Sequence, residues 1–552
     1  MSRKLSRITR TNIDDMGAIS DGSTNNYDVF KTAFKSQSSL VFNEGTYRVE
    51  FNESNIDIPF SGILNIEGVG IDKTIIKVGP ESPSTNSNLF NMINSGVLNL
   101  SNLTLSGPDV LGASGSSNPQ VKAIHINAIS GITNKGSTDI ILSNVKINGN
   151  FFECVAFDSG ADNLMDSNLI LHNCDLKGAH QCVTYFRKQG VHQYKAYNTI
   201  FREWGIASGE LTSPAGHGNY VHPNVSVLMD GCRFIKDRRK DSQRYAIRQF
   251  GSAPLEFPAY SIYNNCIFES GCSRAIQTTE RNNVNTVISN TTIDDCNVII
   301  RSPTNVIGCT VRNNAQIKIE SMDEFNINDT IFYWNSTIGG QSGAIVKVNN
   351  CSFLYRTPYA VWASGHDYII GEHIVSTNNL DHIFECIQAG TSATTEPNWP
   401  SSGIIVDNSI TWQFISSGTT SSYIVDAPGD VQLNNCRFET DFSLNAYVKN
   451  NVSMLVNMAN CIFTSGTMIN GIIEAVVPTD RFMINNCIFH GDGTLIGGVV
   501  SGGYIYGSNN LIDSTVDVSN GQIPSGTVII DSAGNSWLMT IDASGVISTI
   551  GI

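Results

Sequence analysis

Charge is scarce in this 552-residue chain: 15% of the residues are Asp, Glu, Lys or Arg, and acids outnumber bases 49 to 34. The net charge of −15 argues against a nucleic-acid partner, since no broad basic face would offset phosphate repulsion. Long apolar runs are absent too. No stretch reaches the roughly 18 residues that span a bilayer, so no membrane insertion is expected. The opening Met1-Ser2-Arg3-Lys4-Leu5-Ser6-Arg7 is basic but has no apolar h-region. That predicts no signal peptide and folding in a reducing cytoplasm, without excluding a later life outside the cell. Apolar spacing of 3.6 residues over helical lengths is rare, which excludes a helical solenoid. Metal signatures are missing as well: no His-Glu-x-x-His, no acidic EF-hand loop and no zinc-type cysteine pairs, so neither metal nor other cofactor is expected.

What the chain has instead is a short phrase that keeps returning. It reads Asn173-Cys174-Asp175-Leu176, Gly231-Cys232-Arg233-Phe234, Asn265-Cys266-Ile267-Phe268 and Asn350-Cys351-Ser352-Phe353. It comes again as Asn435-Cys436-Arg437-Phe438, Asn460-Cys461-Ile462-Phe463 and Asn486-Cys487-Ile488-Phe489, with variants such as Asn144-Val145-Lys146-Ile147 and Asn198-Thr199-Ile200-Phe201 between them. Most intervals are about two to three dozen residues, the length of one parallel β-helix coil built from three short strands and their turns. The flanks alternate in short runs rich in Val, Ile, Thr and Phe. Asn suits the turns because it tolerates the left-handed region and bonds its own backbone. Of thirteen cysteines, eight occupy the register position, which predicts a buried column of thiols and no disulfide frame. The fold expected is all-β: a right-handed parallel β-helix.

Two segments carry a family resemblance. Asp15-Met16-Gly17-Ala18-Ile19-Ser20-Asp21-Gly22, followed by Asn43-Glu44-Gly45-Thr46-Tyr47, resembles the opening of pectate-lyase-like β-helix proteins, with a short helix expected at about Tyr27 to Lys35. Leu64-Asn65-Ile66-Glu67-Gly68-Val69-Gly70 resembles the first coil of that family. Within it the chain looks most like bacteriophage tailspike or tail-fibre depolymerases. That resemblance implies a homotrimer in the virion tail, acting at the bacterial surface and made in the host cytoplasm. It implies a capsular or O-antigen polysaccharide as partner, and docking on the phage tail or another tailspike through a missing or short N-terminal anchor. The implied activity is glycosidic cleavage, by hydrolysis ahead of elimination. A non-catalytic glycan-binding adhesin and a cellular pectate-lyase-like enzyme are the alternatives.

The interval between Cys351 and Cys436 is 85 residues and holds an insert. Trp362, Trp399 and Trp412 all lie in it, in an order that resembles small chitin-binding-like carbohydrate modules. Indole faces suit the C–H faces of sugars, although a small β-module also needs aromatics inside. The organisation expected is therefore an N-terminal segment with a short capping helix at 1–40, β-helix at 41–357, the module at 358–424, β-helix again at 425–515 and a C-terminal β hairpin at 516–552. The tailspike resemblance implies that this hairpin helps knit three chains together; capping the last coil is the simpler alternative, and trimerisation is the role expected.

Coil length, aromatics and basic charge coincide between residues 150 and 285. Seven of the 16 residues from Arg233 to Arg248 are Lys or Arg, which suggests attraction for an anionic glycan. Hydrolysis needs two carboxylates flanking the scissile bond. Glu210 and Glu280 are the first choice, with Glu203, Asp241 and Glu256 as alternates. Elimination on an acidic sugar would instead need a base such as His217 or His222 and a neutraliser such as Arg248. Trp204, Arg187, Tyr220 and Tyr245, with those histidines, Arg248 and the three module tryptophans, complete the expected substrate contacts. Strand alternation places His125, Arg248 and Gln277 in one outward column.

Overall fold

The structure is a computed structural model. It describes residues 10–551 apart from a few isolated positions and segments at 52–54, 59–61, 80–87, 110–120, 127–136, 158–165, 186–189, 205–216, 236–244, 251–258, 279–283, 356–358, 378–381, 418–422, 441–445, 451–454, 466–472, 476–480, 499–503, 507–509, 518–527, 531–535 and 542–546, with short pairs at 270–271, 334–335, 341–342 and 514–515. The chain divides into two compact units, Met1–Thr304 and Asn305–Ile552.

In the first unit each coil runs through three faces. A first-face strand such as His192–Tyr197 reaches a one-residue bend, continues as the short second-face strand Ile200–Arg202, and returns as the third-face strand Asn219–Val221. The bend is the repeated phrase. Asn144, Asn173, Asn198 and Asn265 have φ of 53°, 51°, 47° and 50°, and Gly231 takes the same turn at 66°. Only Gly, Asn and Asp visit this region cheaply, which is why the position is so restricted. The Asn side chains bond the neighbouring coil and not their own backbone: Asn144 Nδ2 donates to Asn102 Oδ1 at 3.1 Å, and Asn173 Nδ2 to Asn144 Oδ1 at 3.3 Å.

The residue after the bend turns inward. Cys174, Cys232 and Cys266 are buried, and each thiol donates to the carbonyl two residues earlier, as Cys266 does to Asn264 O at 3.3 Å. Thr199 and Thr291 make the same bond through Oγ1, so Cys and Thr interchange there. Burial pushes the Cys174 thiol up to about 11, leaving it protonated and unreactive at neutral pH. Next inward stand the stacked rings of Phe201, Phe234 and Phe268, with centroids 4.9 and 4.6 Å apart. At the start of the unit the α-helix Tyr27–Ser36 buries Tyr27, Phe30, Ala33 and Phe34, and Phe34 stacks on Phe90 at 5.3 Å.

The second unit repeats this grammar. Asn350, Asn435, Asn460 and Asn486 bend at φ 53–54°, and Phe332, Phe353, Phe438, Phe463 and Phe489 stack at 4.6–4.9 Å. The strand Thr337–Gly340 pairs directly with Tyr423–Ala427, and Ile345–Asn349 with Asp430–Asn434, so the insert leaves the stack unbroken. The insert has its own five-stranded sheet. At the chain end, Ser536–Ile541 pairs antiparallel with Ile547–Gly551, a hairpin whose Ala-Ser-Gly turn lies outside the described residues.

Asn265→Ala should cost about 1–2 kcal/mol, from left-handed strain and the lost bond to Asp230 Oδ1. Asn265→Gly should retain most of the stability, and thermal melting of the two variants reads the difference.

Candidate functional site

The third face of the first unit carries two polar columns. Parallel register aligns Asn91, His125, Ala156, Thr184, Tyr220, Arg248 and Gln277, one per coil. Six steps at about 4.8 Å give a row roughly 29 Å long. A second column runs through Asn88, Lys122, Glu153 and Gln181, and further on through Tyr245 and Arg274. Alternation settles which side is outside. Gln249 reaches Ser261 Oγ at 2.6 Å and Tyr185 reaches Ser167 O at 2.7 Å across the interior, so Arg248 and Thr184 point the other way. The sequence expectation that His125, Arg248 and Gln277 share a column holds in register, but His125 and Gln277 are buried, at 7% and 2% exposure, and only Arg248 is partly open.

The columns are knitted by hydrogen bonds. Lys122 Nζ lies 3.1 Å from Glu153 Oε2, and Thr184 Oγ1 donates to Glu153 Oε1 at 2.5 Å. His125 Nδ1 sits 3.0 Å from both Asn88 Nδ2 and Asn91 Oδ1, while Asn91 Nδ2 donates to Asp57 Oδ1 at 2.6 Å. At the other end, Arg248 lies among rings: its Cζ is 4.4 Å from the Phe250 centroid, 5.5 Å from Tyr245 and 5.9 Å from Tyr220. Its Nη1 is 3.0 Å from His217 Nε2. A guanidinium only donates, so Nε2 accepts and the His217 proton sits on Nδ1. Arg274 lies 5.0 Å over the Tyr245 ring and donates to its hydroxyl. Burial raises the Tyr220 phenol, with Arg248 opposing.

The five carboxylates expected to act in catalysis, Glu203, Glu210, Asp241, Glu256 and Glu280, lie outside the described residues, as does Arg187. Of the expected contacts, His217, Tyr220, Tyr245 and Arg248 come together in the cluster above, where Tyr220 and Arg248 are half-buried and His217 and Tyr245 are only 4% and 5% exposed. Two do not fit a contact role. His222 is fully buried, with Nδ1 accepting from Asn224 N at 3.3 Å. Trp204 is also fully buried, and a Cβ on Gly218 would come within 3.2 Å of its ring. Its indole is a floor for the segment carrying His217, because a small residue there lets backbone lie on the ring. Reading the sequence missed Glu153 and Arg274. Both sit at the first residue of a third-face strand, ahead of its buried apolar residues.

The module tryptophans need the same correction. Trp412 is fully buried and Trp362 is 8% exposed, both in a core with Tyr368, Phe384 and Ile410. The buried Asp407 holds them there: Oδ2 accepts from Trp362 Nε1 at 2.8 Å and Trp412 Nε1 at 3.4 Å, and Oδ1 from Ala393 N at 2.9 Å. So small a sheet needs its large rings inside, which leaves them no face for sugar. Trp399 is half-buried, packed on Phe384 at 4.3 Å.

No protein-family model and no curated protein matches the chain. Among solved structures it is similar to the pre-mature gene product 12 of bacteriophage phi29, at 11% identity over 98% of this chain and 80% of that one, TM-score 0.41. It is similar to tailspike protein 2 from Escherichia coli O157:H7 bacteriophage CAB120, at 14% identity over 62% of this chain and 42% of that one, TM-score 0.33. The A-module of an Azotobacter vinelandii mannuronan C-5 epimerase gives 9% identity over 94% of this chain and all (100%) of that one, TM-score 0.25. What those proteins bind or convert belongs to them; function here has to be read from this chain's own side chains.

Two outcomes follow. Glu153→Ala leaves Lys122 half-enclosed without its carboxylate and should destabilise the first unit by about 3 kcal/mol, seen in hydrogen exchange of the strands Lys122–Ile126 and Gln181–Tyr185. Asp407→Leu strands two indole N–H groups and should cost about 2–4 kcal/mol, read as earlier unfolding of the insert by tryptophan fluorescence.

Proposed function

We propose that this protein is a phage tailspike that binds a bacterial capsular or O-antigen polysaccharide along the third face of the first unit and cleaves it by hydrolysis. The observation that carries the reading is the pair of polar columns, in register over successive coils and ending in aromatic rings. An extended polymer of hydroxyl-bearing rings needs a long row of donors and acceptors with flat apolar faces between them. The family resemblance of the opening segment points the same way.

In this reading one carboxylic acid protonates the leaving glycosidic oxygen while a second carboxylate activates water or attacks the anomeric carbon. Glu210 and Glu280 remain the proposed pair: Glu280 follows Gln277 by three residues, and Glu210 precedes His217 by seven. Hydrolysis is favoured over elimination by the histidines. The Nε2 lone pair of His217 is occupied by Arg248, and His222 is buried, so neither offers a base to a polymer on the surface. Trimer assembly through the C-terminal hairpin and a place in the virion tail belong to the same proposal.

Incubation with a panel of capsular polysaccharides tests it. New reducing ends without absorbance at about 235 nm, abolished in Glu210→Gln and Glu280→Gln, are the expected result. Absorbance from an unsaturated sugar would mean a lyase, and binding without either signal would leave an adhesin.

A further inference from the structure

Several basic side chains of the first unit face an acid. Lys122 meets Glu153, Lys146 meets Asp72 at 2.9 Å, Arg202 meets Asp175 at 2.6 Å, and Arg233 meets Glu269. Arg248 and Arg274 differ. Neither has a carboxylate within ion-pair distance among the described residues, although the chain carries 49 acids against 34 bases. They stand on adjacent coils, Arg248 beside Gln277 and Arg274 beside Tyr245 in the parallel register. Both guanidiniums lie over the Tyr245 ring, 5.5 and 5.0 Å from its centroid, and their mutual repulsion is relieved only in part by the ring.

Among the described residues, the surroundings hold both groups in place and supply no carboxylate paired with either. The Arg248 guanidinium is stacked between Phe250, Tyr245 and Tyr220 and tethered to His217, while Arg274 is tied to the Tyr245 hydroxyl. Arg248 Nε is buried with no partner among the described residues, and so is Gln277 Oε1, on a side chain only 2% exposed. Orphaned polar atoms in so ordered a cluster are hydrogen-bonding capacity that a bound ligand would satisfy. That ligand must supply negative charge and accept in the plane of a guanidinium, as a carboxylate does. Phe250, 46% exposed, offers an apolar face for the ring bearing it.

We propose that Arg248 and Arg274 form the subsite for the carboxylate of an acidic sugar. The inference rests on the reading that a polysaccharide lies along this face, and it names the chemistry of one residue in it: a uronic acid or another carboxylate-bearing sugar.

Saturation-transfer NMR of the full-length protein, with sodium glucuronate and glucose as probes, tests the subsite directly. Glucuronate should give a saturable signal that weakens as salt rises, and glucose should give none. Arg274→Gln and Arg248→Lys should each weaken glucuronate binding by about tenfold, with circular dichroism melting confirming that both variants fold. A glucuronate signal that is absent, or unchanged in both variants, would overturn the proposal. A cleaved capsular polysaccharide provides the second arm: reducing its carboxylates to alcohols should weaken binding by a similar factor. If the reduced polymer binds and is cleaved as well as the parent, the subsite is wrong and the depolymerase reading stands. If glucuronate binds as predicted while no capsule is bound or cleaved, the subsite stands and the depolymerase reading falls.

Discussion

One backbone conformation governs this chain: a left-handed residue at the corner between the first and second strands of a coil. Asn, Asp or Gly takes it with little strain, and the residue that follows is thereby aimed into the core, where Cys or Thr hydrogen-bonds a backbone carbonyl. The peptide N–H of the corner donates to the next coil, as Asn173 N does to Tyr197 O at 3.0 Å. Each bend therefore fixes the register of the one stacked on it. Phe columns and thiol columns are consequences of that register, and so are the polar columns of the third face.

The same constraint explains where function can be put. Only two residues separate Val225–Asp230 from Arg233–Ile235 across the bend, whereas nine separate Arg233–Ile235 from Tyr245–Gln249. Connections flanking the third-face strands vary in length: three residues join Asp175–Lys177 to Gln181–Tyr185, and sixteen join Ile200–Arg202 to Asn219–Val221. The insert of the second unit enters at the corresponding place, between the second-face strand Ser352–Tyr355 and the third-face strand Tyr423–Ala427. A stack with rigid corners and variable returns leaves room for chemistry beside the third face.

Much of the fold was legible because it is written in spacing. Asn-Cys-x-Phe names a bend, an inward thiol and a core ring in consecutive positions, and repetition makes the signal hard to mistake. The site was only partly legible. Strand alternation correctly grouped His125, Arg248 and Gln277, and the aromatic and basic loop sequence pointed to His217, Tyr220 and Tyr245. Burial defeated the rest. Trp204, His222, Trp362 and Trp412 have side chains suited to sugar, but composition does not tell an exposed ring from one that floors a loop or fills a small core. Glu153 and Arg274 were overlooked because each stands at a strand's first residue, outside the apolar alternation that drew attention to its neighbours.

The central claim is that a polysaccharide lies across successive coils on the third face of the first unit. A crystal structure of the protein with an oligosaccharide released from a capsule it degrades tests that most directly. The account predicts sugar rings following the row from Asn91 to Gln277, with a carboxylate at Arg248 and Arg274. Oligosaccharide bound only to the insert, or elsewhere in the second unit, would contradict it.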